Sequence, residues 1–529
     1  MKYCGLIGLL LLSMVLTGCT EPSVPHVEIS TDPENQTIIW FDGGVETAFA
    51  RAKADAKPLF LYWGAVWCPP CQEIKHTVFK SRRFIEQTQS FVPVYLDGDT
   101  EAAQTAGEQY GVKGYPTMIV FSSAGTEITR IPGGIDIERY NDILASALES
   151  ITPTAQLVEA LTENPASLTE SQLKQLAYYS WRQDDKALPE GYSPELFQKA
   201  SRLAQDKIIA SRLYMQYLYE VSAAKNHKKM IKKMTKETTA ESIDEQLLTD
   251  ALPVIEKILT SKTLVLANWD SLAYYAADLS PLVASGAALA ELKLQWQTAI
   301  FDAREDVSLS EAERLSGLLP MLAFYFEDET RTTLSEEMKK IVLDAIQYAD
   351  EITENSFARQ SVVNQINYVL QEARLLDEAK ALLTAELDRS KSPYYFMSSL
   401  SALAEKEGDI PTALTWRKKA YATSTGRATR FQWGASYVRA LLRMTPEDES
   451  TITEVALALF SEMKSDNELF AGRNFRVLRS LNLALHSWQD ERTVSLLTGF
   501  DQAIIHRCEA LPTDSRAMQN CKSLPISDS

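Results

Sequence analysis

Trp67-Cys68-Pro69-Pro70-Cys71 sets two thiols two residues apart, and Tyr115-Pro116-Thr117 follows further along the chain. Two cysteines at that spacing, at the start of a helix, can cycle between a dithiol and a disulfide. Cys68 is the expected nucleophile. At a helix N-terminus the unpaired N–H groups and the macrodipole favour the thiolate, which is the reactive form. Cys71, one turn on, lies on the same side and can resolve a mixed disulfide. Pro69 and Pro70 carry no N–H, so two donors that would otherwise face the Cys68 sulfur are missing, and a more reducing pair is expected. A zinc site would need two further Cys or His ligands, and the five histidines offer no pair at metal spacing; no metal is expected. A purely structural disulfide is the other reading, but cysteines so close at a helix start close a readily reduced ring.

The elements that must position this motif alternate. Leu59–Trp63 is a continuous apolar run, as in a strand buried on both faces, and the CxxC follows at once, opening a helix expected to run to about Lys80. Before it, Thr37–Phe41 reads as a strand and Val45–Lys53 as a helix with Ala48, Phe49 and Ala52 on its apolar side. After it come a strand at Phe91–Leu96, a helix at Ala102–Tyr110 and a buried strand at Thr117–Phe121. A turn at Ser123-Ala124-Gly125 leads into a strand at Ile128–Ile131, and a helix at Ile137–Leu148 closes the unit. The order βαβαβαββα defines an α/β layer domain over residues 36–150.

Strand signals stop after Ile151. Helices are expected at Gln172–Trp181, Pro194–Tyr219, Gln246–Leu259 and Leu289–Phe301, so residues 151–529 read as an all-α region. Leu370, Ala373, Leu376, Ala379 and Leu382 recur as Ala404, Glu407, Ile410, Ala413 and Trp416, with Gly408-Asp409 as the turn in the second copy. The period and the paired helices resemble the tetratricopeptide repeat, most clearly at 364–420, with a degraded copy at Trp433–Met463.

The redox motif carries a second resemblance. Trp67-Cys68-Pro69-Pro70-Cys71 after an apolar strand, then Gly114-Tyr115-Pro116-Thr117 before Met118-Ile119-Val120-Phe121, with Lys57-Pro58, Gly125 and Gly133, resembles the thioredoxin superfamily. The resemblance is nearest to extracytoplasmic thioredoxin-like domains of thiol-disulfide interchange proteins. It covers residues 36–150. It implies that Pro116 is cis and sits against the Cys68-Cys71 pair, that the Tyr115 backbone is exposed to a substrate strand, and that Trp67 shields the sulfurs and contributes to the substrate-facing surface. The family's buried acid, which assists the resolving thiol, is replaced here by Tyr62.

The N-terminus reads as an export signal over residues 1–18: Lys2, an apolar run from Leu6 to Leu16, then Leu16-Thr17-Gly18-Cys19. The last four residues resemble the lipobox of bacterial lipoproteins. That resemblance implies cleavage before Cys19, acylation of Cys19 and anchoring in the bilayer; Thr20 in the next position favours the outer membrane. Residues 19–35, with Pro22, Pro25 and Pro33, would form the tether. The net charge of −18 argues against binding a nucleic-acid backbone.

Of the six cysteines, only Cys508 and Cys521 are left without a role, and in an oxidising compartment they are expected to form a structural disulfide. Lys225, Lys228, Lys229, Lys232, Lys233 and Lys236 would form a basic stripe, read as a solvated helix face. Tyr178, Tyr179, Tyr274 and Tyr275 read as packing positions, and Asp97 and Asp99 as loop solvation. Together these features predict a periplasmic, lipid-anchored thiol-disulfide oxidoreductase without a cofactor. It would reduce or isomerise exported proteins and draw electrons from a membrane-spanning thiol relay. The alternative is a membrane-anchored scaffold whose helical repeats bind clients and whose thioredoxin fold is a docking module.

Overall fold

The computed structural model describes residues 37–525, apart from 132, 134–136, 150–151, 185, 236–244, 354–355 and 491–495. The export signal, Cys19 and the tether lie outside the described residues. So does most of the lysine stripe: its helix runs Lys207–Thr235, but the side chains beyond Asn226 and residue Lys236 are not among those described.

The first part of the chain is α1 (Val45–Ala54), β1 (Leu59–Gly64), α2 (Pro69–His76), α3 (Arg82–Thr88), β2 (Val92–Asp97), α4 (Glu101–Gln109), β3 (Thr117–Phe121), β4 (Glu127–Ile131) and α5 (Ile137–Glu149). The four strands form one sheet in the order β2-β1-β3-β4, with β1 parallel to β2 and antiparallel to β3, and β3 antiparallel to β4. β1 is central, so all of Leu-Phe-Leu-Tyr-Trp-Gly is buried, whereas β2 at one edge alternates, with Val92, Val94 and Leu96 inward. Successive residues of β1 feed opposite layers. Phe60 and Tyr62 meet Phe84, Tyr140 and Leu144 on one face, while Leu59, Leu61 and Trp63 meet Ala48, Ala52, Ala103 and Ala106 on the other.

Two expectations are corrected here. Thr37–Phe41 forms no strand; its one ladder-like bond is Phe41 N–H to the Pro93 carbonyl at 2.7 Å. The β2 edge it faces carries Pro93, which has no N–H to return a bond. The helix expected to reach Lys80 ends at His76: the backbone leaves helical geometry at Thr77 (φ −115°, ψ −77°), whose Oγ1 bonds the Glu73 carbonyl at 2.7 Å. A short 3₁₀ turn and then α3 follow, and they carry Val78, Phe79, Phe84 and Ile85 into the core.

The remainder is helical, and it joins the sheet domain without a break. The expected helix Pro194–Tyr219 is two helices, Glu195–Leu203 and one starting at Lys207; the Asp206 carboxylate caps the second by accepting from Ile208 N at 2.7 Å and Ile209 N at 3.0 Å. Buried apolar residues from Leu157 to Leu309 belong to the same cluster as Phe60 and Tyr62. The outer edge of β4 is covered: Ser180 N–H bonds the Arg130 carbonyl at 2.9 Å, and Thr154 Oγ1 bonds the Ile128 carbonyl at 2.8 Å. The Arg130 side chain is 2% exposed, bonding the carbonyls of Tyr110 at 2.8 Å and Gln183 at 2.9 Å and pairing with Glu127 at 3.0 Å. A buried guanidinium is tolerated because its donors are met in this way. Tyr178 and Tyr179 are buried as expected of packing residues; Tyr274 is 44% exposed instead, its hydroxyl 3.1 Å from Gln365 Oε1.

From Ser356 onward helices follow in neighbouring packed pairs: Ser356–Glu372 with Leu376–Glu386, Pro393–Lys406 with Ile410–Thr423, and Arg427–Met444 with Glu449–Glu462. Arg374 and Gly408 turn two of these pairs at positive φ, and the Asp409 carboxylate caps the helix after the second. The chain ends with helices Gly472–Asp490, Leu496–Glu509 and Arg516–Lys522, the last two joined by a Cys508–Cys521 disulfide with a Cα–Cα separation of 6.0 Å. Among the described residues, no helix is long and apolar enough to cross a membrane.

Candidate functional site

β1 delivers the chain to Gly64, and a tight loop then turns it into α2. The loop is held by Cys68 N–H to the Ala65 carbonyl at 3.2 Å and by Gln72 Nε2 to the Val66 carbonyl at 2.6 Å. Cys68 is the N-cap of α2, and Pro69 and Pro70 fill the first helical positions, where a missing N–H costs nothing. The first amide left to face the sulfur is that of Cys71, which donates to Cys68 Sγ at 3.2 Å. Cys68 and Cys71 are joined as a disulfide with a Cα–Cα separation of 5.2 Å. The Tyr115–Pro116 bond is cis, and Gly133 lies so close to Pro116 that a Cβ there would fall 2.9 Å from its Cγ.

Beneath the pair, Tyr62 is fully buried, with its hydroxyl 3.5 Å from the Cys71 carbonyl. Burial, and then the neighbouring Tyr95, push its pKa far above the ordinary phenol value, so it stays protonated and does not do the work of a buried acid. Its ring stacks on Tyr95, whose hydroxyl accepts from Lys75 Nζ at 3.0 Å. Burial lowers the Lys75 pKa, with Asp97 opposing.

The largest departure from expectation is what lies over the site. The resemblance implies that Trp67 shields the sulfurs and shares a substrate-facing surface with the Tyr115 backbone, but the helical half packs on both rings. Trp67 stacks on Tyr395, with centroids 6.3 Å apart, and meets Trp433 edge-on at 6.4 Å. The Arg473 guanidinium lies 5.0 Å from the Trp67 ring centre and 5.4 Å from that of Tyr115. Gln360 Nε2 donates to the Trp67 carbonyl at 2.8 Å, Gln183 Nε2 to the Pro116 carbonyl at 3.2 Å, and Ser361 Oγ to Glu73 Oε2 at 2.7 Å. In the whole chain Cys68 is 2% exposed, Cys71 0% and Trp67 9%.

Asp99, read from the sequence as a solvated loop residue, is part of this closure. Its carboxylate accepts from Thr429 N at 2.7 Å and Thr429 Oγ1 at 2.8 Å. Burial raises its pKa, and the Thr429 bonds oppose that shift. Further along the same seam, Gln104 Oε1 accepts from the amides of Arg473 at 3.0 Å and Asn474 at 3.2 Å, and Glu108 Oε2 from that of Gly472 at 3.1 Å. Gly472 has φ +54°, and a Cβ there would fall 2.5 Å from the Gln104 carbonyl oxygen, so this close approach requires glycine. On the other side of α2 a cavity of about 500 Å³ opens between the two halves, lined in part by Pro70, Glu73, Gly133, Trp269, Tyr274 and Gln365.

Residues 45–148 match the family model of a thioredoxin-like domain. One solved structure, a DsbH Oxidoreductase, aligns with 24% of this chain and 95% of its own at 20% identity and a TM-score of 0.20. No curated protein matches the chain. The chain therefore carries a thioredoxin-like α/β domain with a four-stranded mixed sheet, followed by an all-helical region. Its close CxxC pair gives that domain the make-up of a thiol-disulfide oxidoreductase.

Proposed function

We propose that this protein is an extracytoplasmic thiol-disulfide oxidoreductase, lipid-anchored through Cys19, that reduces or isomerises disulfides of exported proteins. The observation that carries the reading is the Cys68–Cys71 disulfide at the start of α2 in a domain that matches the thioredoxin-like family model. In the reduced enzyme the Cys68 thiolate attacks one sulfur of a substrate disulfide. The other substrate sulfur leaves as a thiolate and takes a proton from solvent. The Cys71 thiolate then attacks Cys68 Sγ in the mixed disulfide and expels the second substrate thiol. Substrate gains two electrons, the enzyme ends oxidised, and an external thiol donor must return them; a membrane thiol relay is the donor we propose. The leader and the lipobox-like Leu16-Thr17-Gly18-Cys19 support location at the periplasmic face of a membrane, with Thr20 favouring the outer one.

The test is the Cys68–Cys71 reduction potential, measured by equilibrating the soluble residues 20–529 with glutathione or dithiothreitol buffers. A value near or below about −270 mV marks a reductant that needs an electron supply, and one near about −180 mV or above marks an isomerase or oxidase. A pair that never cycles overturns the proposal. The scaffold reading would then stand, favoured by the contact that the helical half already makes with the redox face. Serine at Cys68 separates the two readings in cells, because a scaffold keeps its phenotype.

A further inference from the structure

We infer that Tyr395, Trp433 and Arg473 are specificity-determining residues of the redox centre, a reading that rests on the oxidoreductase function proposed above. They belong to the helical half, yet they lie on the Trp67–Tyr115 surface that a substrate backbone must reach. A disulfide on a folded protein gains access to Cys68 only when these helices withdraw, whereas a small thiol needs only a local fluctuation.

Three observations support a wall that moves as a unit. First, apart from Tyr394, the large buried apolar residues from Leu315 to Leu403 and from Phe431 to Leu524 form two clusters of their own, neither containing a residue of the thioredoxin half. Withdrawal therefore leaves both cores intact. Second, the apolar contact across the seam at the sulfurs is a small separate cluster of Ala65, Trp67, Cys68, Cys71, Tyr394 and Ala420. Opening there parts this cluster and the rings packed against it, Tyr115, Tyr395 and Trp433, without unpacking a larger core, and is a sub-global step. Third, the bonds described above that close the seam around the sulfurs share one direction. Gln360, Ser361, Thr429, Gly472, Arg473 and Asn474 donate, and acceptors on the thioredoxin half receive. An incoming peptide presents its own N–H donors to the same acceptors, so a substrate can replace the wall bond for bond.

The test labels Cys68 in the reduced full chain with N-ethylmaleimide and with the same maleimide on a bulky polyethylene glycol, read as mass on the peptide that holds Cys68. In the wild type the bulky reagent should lag the small one by at least about tenfold, the factor that corresponds to ~1.4 kcal/mol of opening. Trp433→Ala and Arg473→Ala should bring the two rates together and raise turnover of a protein disulfide, while Trp433→Phe and Arg473→Lys retain the lag. Equal labelling rates in the wild type overturn the inference, and that comparison decides the matter even if the alanine variants do not fold. So do alanine variants that fold, show faster hydrogen exchange in α2, and keep the wild-type lag. A wall that passes this test in a chain whose thiols never re-oxidise would remove the oxidoreductase reading alone.

Discussion

The two disulfides of this chain are the same bond in very different surroundings. Cys68–Cys71 closes one turn at a helix start, with a backbone amide on one sulfur and a separable wall of helices above it. Cys508–Cys521 ties two helices together across a sequence separation of 13, within a core that includes Leu511, Met518, Phe500 and Ile504. Exposure does not tell them apart, since Cys71 and Cys521 are each fully buried. What differs is the helix N-terminus, which favours a thiolate, and a neighbouring surface able to part without unpacking a core.

The sharpest way to break this comparison is to remove one cysteine from each pair. Cys68→Ser should abolish exchange with a protein disulfide in a turnover assay, and Cys71→Ser should accumulate a mixed disulfide visible by mass. Cys508→Ser combined with Cys521→Ser should leave turnover and reduction potential unchanged and lower unfolding stability by about 3 kcal/mol in a denaturant titration. If the tail variant shifted the potential, the division into a chemical and a structural bond would be wrong.

A smaller effect belongs to the seam. Asp99→Ala removes two bonds to a carboxylate and should speed bulky labelling of Cys68 by at least about tenfold, the lower end for a single charged hydrogen bond. The pH dependence has a definite sign. Burial raises the Asp99 pKa in the closed state, with Asp97 acting in the same direction and Thr429 and Arg473 against it. The closed state then binds the proton more tightly than the open one. Closure should strengthen as pH falls from neutral through the raised value toward the ordinary carboxylate range near 4, and weaken as pH rises. The ratio of bulky to small labelling tests this, because thiolate content cancels in it. The smallest effect should be Tyr62→Phe, which removes a hydroxyl 3.5 Å from its acceptor, beyond ordinary hydrogen-bond length. Its resolution rate by stopped flow should stay within about twofold of wild type.

The chemistry was legible because it is local. An apolar strand, a sharp turn, two cysteines and a later X-Pro-Thr are each read within a few residues, and the elements around them fall close to where the sequence places them. The strand expected at Thr37–Phe41 failed on its partner, since nothing within that segment reports Pro93. The wall over the site was not legible for the same reason on a larger scale. Gln360 meets Trp67 across 293 residues, and Thr429 meets Asp99 across 330. Asp99 taken alone is an ordinary loop carboxylate, and Tyr395 and Trp433 taken alone are ordinary helix aromatics. No periodicity distinguishes an aromatic that packs within its own helical layer from one that packs on a distant redox motif.

Arg130 carries a consequence for where this protein can be divided. A gene fragment encoding only the sheet domain would keep the guanidinium and the β4 edge, but would lose the Gln183 carbonyl, the Ser180 amide and the Thr154 hydroxyl that complete them. Such a fragment should be poorly soluble by itself. The sheet domain and the helices from Thr154 to Gln183 are then one folding unit, as the apolar cluster they share also requires, and the boundary between them in the sequence is not a boundary in the fold.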